Sequence, residues 1–264
     1  MKVSLHTLAS PKVYGIASLL TWTASAKFPH MSREAREVAQ YYTKVAWKAA
    51  MDSPRECIVY AVLVEFLVRH KNPPYRFILY PQMSLKWKPG VVEDPRHEIT
   101  DLGLVIFTRN GYKLRCGVEA KRAAPIMAEL PDAKYLIGNL VVRNIFILAR
   151  YQAMDQAKAA FKNDFCFNPK QPIHWMLVVG PYWTPIQLGP YSEAELTVRS
   201  HKKSSTEDFR ARINLDLLEK RTPFELKELH CLNSPSSYDR IEEILEETDG
   251  AARPFIDGIL GRVC

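Results

Sequence analysis

Apolar positions recur along this 264-residue chain with two different periods, and each change of period marks an element. In residues 32–50, Val38, Tyr42, Val45, Ala46 and Ala49 follow helical spacing behind Ser32 as N-cap. A second helix opens on Ser53-Pro54-Arg55-Glu56, with Ser at the N-cap, Pro at the first helical position and Glu at the third. It runs to about His70 and stops before Asn72-Pro73-Pro74. Tyr75 to Leu79 reads as a strand, and Ile99 to Phe107 and Leu114 to Lys121 as two more, joined at Arg109-Asn110-Gly111. A long helix from Asn139 to Asp164 follows. In Pro172 to Gly180 the apolar run Trp175 to Val179 suits a strand buried on both faces. The order helix, three strands, helix, strand predicts an α/β domain with a mixed central sheet flanked by helices. Residues 200–205 read as a polar loop, and Asp239 to Thr248 as a short acidic helix. The expected division is an N-terminal helical extension over 1–52 packed on the core, the core itself over 53–198, and a C-terminal helical and loop extension over 199–264.

The chemistry concentrates in the hairpin. Side chains alternate along a strand, so Glu119 and Lys121 share one face. Whether Asp101 joins them depends on register. A two-residue Asn110-Gly111 loop sets Asp101 opposite Ala120, whereas a three-residue Arg109-Asn110-Gly111 loop sets it opposite Glu119. Under the second register Leu102, Leu104 and Ile106 face Val118, Cys116 and Leu114, which gives one apolar side. Gly111 also suits the left-handed position of such a loop. The expectation is therefore Asp101 opposite Glu119, with Gly103 opposite Gly117. That glycine pair either leaves a gap through which a bulky group approaches the sheet or serves twist and close packing.

Two carboxylates held close repel when both are ionised, and a divalent cation removes that penalty by taking both as hard oxygen ligands. Magnesium or manganese is the expected occupant, held by Asp101 and Glu119 with the Ala120 carbonyl as a further ligand. Lys121 is placed to position an attacking water and offset negative charge on a phosphate. Glu65 is expected to join as a third carboxylate, because it stands inside the apolar run Ile58 to Val68, where an unpaired charge is costly. The competing reading of Glu65 is an i to i+4 pair with Arg69.

Composition narrows the setting. The chain is 47% hydrophobic and 25% charged, as ordinary globular proteins are, and has no apolar run long enough to span a bilayer. Five widely spaced cysteines without a CxxC pair fit a reducing compartment, so an intracellular location, nuclear or cytoplasmic, is expected. Against that, Lys12, the stretch Val13 to Trp22 and Ala24-Ser25-Ala26 imitate a secretion signal, diluted by Gly15, Ser18 and Thr21. Net charge is +7, distributed as +8 over residues 1–92 (13 basic, 5 acidic), +3 over 93–170 (12 and 9) and −4 over 171–264 (11 and 15). A basic field of that kind draws in polyanions. Arg122, Arg143 and Arg150, then Lys158 and Lys162, read either as phosphate contacts or as a solvated charged face. Tyr182-Trp183 reads as base-stacking or as packing. A GxSxG elbow, a P-loop, a GxGxxG fingerprint and zinc-ligand spacing are all missing from the sequence.

Glu65, Ile99-Thr100-Asp101 and Glu119-Ala120-Lys121, set on a helix and two strands within Ser53 to Gly180, resemble the PD-(D/E)xK, or restriction-endonuclease-like, nuclease superfamily. The whole chain is similar to its eukaryotic, fungal members. The resemblance implies a restriction-endonuclease-like core (αβββαβ), Mg2+ or Mn2+ as cofactor, and nucleic acid, DNA favoured over RNA, as partner. It maps the catalytic lysine to Lys121, the metal-binding acids to Asp101 and Glu119, and the helical acid to Glu65. Thr100 stands where the motif has Pro. Some branches carry a Gln on the following helix, which either Gln152 or Gln156 supplies. The alternative is a catalytically silent nucleic-acid-binding or effector module on the same fold, and a third reading has the acidic C-terminal part docking a basic protein.

Overall fold

Seven consecutive buried residues, Ile173–Val179, form the central strand β4, and burial on both faces is what a strand with a parallel neighbour requires. A computed structural model describes residues 56–70, 77–87, 96–108, 111–124, 126–129, 133–196, 225–232 and 234–260, together with Glu37, Val38, Tyr41 and Val45. The elements are α1 (Glu56–Val68), β1 (Ile78–Trp87), β2 (Arg96–Thr108), β3 (Gly111–Lys121), the short helices α2 (Ile126–Glu129) and α3 (Ala133–Gly138), then α4 (Leu140–Lys162). After β4 come β5 (Tyr182–Leu188), α5 (Glu193–Leu196), β6 (His230–Cys231) and α6 (Pro235–Leu260). The six strands lie in sequence order in one sheet, antiparallel throughout except for the parallel β3–β4 pair. The α/β class, the mixed sheet and the order helix, three strands, helix, strand agree with the pattern of the sequence.

Each face of the sheet carries its own core. Val105, Leu114, Trp175, Leu177 and Val179 pack under α4 with Phe146, Ala149, Ala153, Ala157 and Ala160. The alanines let the helix backbone come close. Leu102, Leu104, Cys116, Val118, Met176 and Val178 face the other way, against Val59, Val62, Leu63, Phe66 and Leu67 of α1 and Tyr238, Ile241, Ile244 and Leu245 of α6. Helix α4 begins where Asn139 caps the amides of Val141 (3.0 Å) and Val142 (3.2 Å), one residue inside the expected boundary.

Several sequence expectations need correction. The first strand is described from Ile78 through Pro81 to Trp87, well past the expected end at Leu79, while the expected start at Tyr75 lies outside the described residues. The C-terminal helix covers 26 residues rather than ten, opened by Pro235 at its first position after Ser234, whose Oγ accepts from the Ser237 amide at 3.2 Å. The hairpin closes on a Thr108–Gly111 pair, one residue tighter than the expected three-residue loop, and Ile106 faces Lys113 rather than Leu114. The register then shifts by one between Leu104 and Val105, leaving Arg115 as an extra residue on β3. Beyond this bulge Leu104 faces Cys116, Gly103 faces Gly117 and Leu102 faces Val118, the pairing that the apolar pattern predicts. Of the helix expected over 32–50, the four described positions are helical, and Val38, Tyr41 and Val45 are exposed. The Ser53 cap, the loop of residues 200–205 and residues 109–110 lie outside the described residues, as does the whole of 1–36.

Candidate functional site at a fork in the sheet

The β2–β3 ladder ends at Leu102–Val118. From there β2 continues to Arg96 alongside β1, while β3 continues to Lys121 alongside β4. The next pair in register would be Asp101 and Glu119, so both stand at the point where the strands part. Strand β1 is irregular at the same level. Tyr80, Met83 and Leu85 all belong to the α4-side core, although 80 and 83 are three apart, so strict alternation slips by one residue. The slip falls at Gln82, which has a φ of +46° and lies across from Asp101, and this pair alone is missing from an otherwise continuous β1–β2 register. Residues directly opposite share a face, so Thr100 lies on the side of Met83 whereas Leu102 lies on the other. Asp101 is thus the residue at which β2 changes faces.

Side chains close the mouth of this fork. Asp101 Oδ2 accepts from the Ala120 amide at 2.6 Å, taking the place of the strand carbonyl that the parted ladder no longer offers. Its Oδ1 accepts from the Tyr60 hydroxyl of α1 at 2.7 Å. Glu119, only 3% exposed, is held by Lys121 on Oε1 and by the Gln156 amide on Oε2 at 2.6 Å. The same Gln156 nitrogen donates to the Ile99 carbonyl at 2.8 Å, so one side chain from α4 ties both prongs of the fork. Gln156 Oε1 is buried there without a hydrogen-bond partner. Burial pushes the Glu119 carboxyl up to about 7; Lys121 opposes the rise, the nearby Asp101 charge adds to it, and Gln156 opposes it.

No family model, curated protein or solved structure matches this chain. The site has to be read from its own geometry.

That geometry brings Asp101, Glu119, Lys121 and Gln156 together, and of the two glutamines Gln156 is the one bonded to Glu119. It does not bring Glu65. Helix α1 is apolar almost all round, so the sequence does not say which side meets the sheet; Val59, Val62, Leu63, Phe66 and Leu67 do, and Glu65 points away, exposed and paired with Arg69 at 3.0 Å. Tyr60 is the α1 residue that reaches the site, and its one sequence signal is a hydroxyl on the edge of a buried helix face. The glycine gap is also absent. A Cβ on Gly117 would lie 2.3 Å from the Trp175 ring, and one on Gly103 would lie 3.0 Å from Met83 Sδ, so both glycines serve close packing. Trp183 is fully buried and donates to Ser237 Oγ at 2.6 Å, which makes it core rather than a stacking platform. Arg122 is exposed beside Lys121, while Arg143 and Arg150 are half-buried, and burial lowers the Arg150 pKa.

Among the described residues no group of three or more His, Cys, Asp or Glu side chains gathers at metal-binding distance. Asp101 and Glu119 are near enough for their charges to interact, and Glu65 is not with them. A cleft of about 230 Å3 lies at the opposite end of β3, bordered by Arg115, His174 and Glu247. Its charged groups are engaged with α6 or with each other: Arg115 bonds Thr248 and Asp249, and His174 meets Glu247 at 3.1 Å. No helix among the described residues is long and apolar enough to cross a membrane.

Proposed function

We propose that the chain is a metal-dependent nuclease with a restriction-endonuclease-like core, hydrolysing nucleic-acid phosphodiester bonds, DNA before RNA. One observation carries the reading: two acids and a lysine from separate strands meet where those strands part, and Gln156 crosses from α4 to bond both sides. The donor set fits a hard divalent cation. Each carboxylate oxygen is engaged by one protein donor and keeps a further lone pair, and the orphaned Gln156 Oε1 adds an unused acceptor. Asp101, Glu119 and the Ala120 carbonyl would hold Mg2+ or Mn2+. With only two side-chain acids, water and substrate oxygens complete the shell, which suits magnesium. When bound, the ion supplies a Lewis acid for a phosphate oxygen and acidifies the attacking water.

The chain's own groups divide the remaining work. Lys121, a quarter exposed where Glu119 is buried, presents its ammonium to the incoming phosphate and offsets the charge that builds on it. Gln156 Oε1 accepts a proton donor such as the attacking water and helps to orient it. Arg122, next in sequence and exposed, extends the positive field along the substrate.

A second reading has an observation of its own. Every oxygen of both carboxylates already has a protein donor, as a structural tie across a parted ladder would, and this favours a silent nucleic-acid-binding or effector module on the same fold. One assay separates the two. Single- and double-stranded DNA and RNA are incubated with Mg2+, Mn2+ or chelator, using wild type, Lys121→Ala and Asp101→Ala. The nuclease reading expects cleavage that chelator abolishes and that each substitution lowers by about 100-fold or more. Cleavage that survives both substitutions removes this site from the mechanism, and no cleavage under any condition leaves the silent module.

A further inference from the structure

The helix that was expected to contribute Glu65 contributes a phenol instead. Tyr60 stands on α1, partly buried against the core on that side of the sheet, and its hydroxyl donates to Asp101 Oδ1 at 2.7 Å. The other oxygen of the same carboxylate is fixed by the Ala120 amide at 2.6 Å. Two donors, one on each oxygen, define the plane of a carboxylate, and with it the direction of the lone pairs that stay unused. Without the phenol only the amide would remain, and the carboxyl group would be free to turn about it. Asp101 especially needs such a constraint, because its own backbone is at a slip between two alternations and pairs with neither Gln82 nor Glu119.

We propose that Tyr60 is a positioning residue for divalent-cation binding: it orients Asp101 across the sheet and takes the place in this chain that a helical acid would otherwise fill. The inference rests on the nuclease reading above and deepens it. Groups that orient a metal ligand through hydrogen bonds typically govern affinity by about 10- to 100-fold. The rival role for the same contact is a tie that holds α1 to the sheet, which would act on folding and leave cation binding unchanged.

The test is Mn2+ affinity of the full chain by calorimetry, for wild type, Tyr60→Phe and, as a control, Tyr80→Phe, whose ring stacks on Tyr112. Tyr60→Phe removes one hydroxyl and keeps the ring. The expected result is about tenfold weaker Mn2+ binding in Tyr60→Phe alone, with cleavage restored at saturating Mn2+. Unchanged Mn2+ affinity overturns the positioning role while the nuclease reading stands. A loss of cleavage that saturating Mn2+ does not restore also overturns it. Wild type that binds no Mn2+ removes both readings at once, before any variant is compared. A measurement without a variant guards against misfolding of Tyr60→Phe: bound Mn2+ is paramagnetic and broadens the ring signals of Tyr60 before those of Tyr80, and equal broadening of the two overturns the proposal.

Discussion

Burial and the neighbouring Asp101 charge raise the carboxyl of Glu119 to about 7 against Lys121 and Gln156, and this ties the stability of the metal-free protein to pH. An acid whose pKa is higher folded than unfolded holds its proton more tightly in the folded state. The stability linked to Glu119 is therefore complete below its ordinary 4.5 and is lost as pH rises through 7. In urea melts with chelator, the stability of wild type relative to Glu119→Gln is expected to fall between pH 5 and pH 8. Mn2+ is expected to reverse the loss in wild type but not in Glu119→Gln, and parallel curves for the two proteins would show that Glu119 is already ionised. At this scale much was legible. Strand alternation alone puts Glu119 with Lys121, and apolar matching alone finds the Leu102–Val118 register beside Asp101. Glu65 was misplaced and Tyr60 passed over for one reason: a helix that is apolar on nearly every side does not say which side meets the sheet.

Between elements, the instructive feature is the bulge at Arg115. The sequence predicts a hairpin one residue longer at its turn and regular along its length. The protein has a turn one residue shorter and an extra residue in β3, so the two differences cancel before the site is reached. Neither was visible, because loop length and bulge position trade against each other without changing the apolar match from Leu104–Cys116 to Leu102–Val118. The extra residue has a use: Arg115, 1% exposed, reaches α6 and bonds the Leu245 carbonyl, Thr248 Oγ1 and Asp249. Val105–Leu114 and Leu104–Cys116 would simply become consecutive pairs if Arg115 were deleted. The deletion is expected to cost roughly 2–4 kcal/mol through the loss of a buried ionic anchor, while the cleavage proposed for this site, per folded molecule, stays near wild type. Urea midpoints and cleavage rates check this, and a deletion that abolishes cleavage in folded protein would mean that the bulge shapes the site itself. The length of α6 is readable in the sequence beyond its acidic stretch. Ser234-Pro235 repeats the signal of Ser53-Pro54, and the apolar positions Tyr238, Ile241, Leu245 and Ala252 behind it are buried.

For the whole molecule, the sheet separates two packed layers that meet the fork from opposite sides. Helix α4 supplies Gln156 to Glu119, and α1 supplies Tyr60 to Asp101. The acidity of the C-terminal part has a definite location, since α6 shares the α1 side of the sheet and leaves Glu243, Glu246 and Glu247 exposed there. This layered arrangement was legible from the order of elements, because a strand buried on both faces calls for a helix on each. The fork was not. A parted ladder leaves no mark on apolar periodicity, since both strands simply continue with other partners.

The Ala120 amide is protected by a carboxylate and not by a neighbouring backbone, and this gives the protein a local clock. Hydrogen bonds to a charged group contribute about 2 kcal/mol each, far less than the sheet as a whole, so the mouth of the fork can open without the strands coming apart. In Asp101→Ala the exchange of the Ala120 amide with deuterium is expected to accelerate by about tenfold or more, while the amides of β4 keep their wild-type rates. Unchanged exchange at Ala120 would mean that a strand carbonyl holds it after all. The rate of that single proton would then report how often the two halves of the site separate while the rest of the chain stays folded.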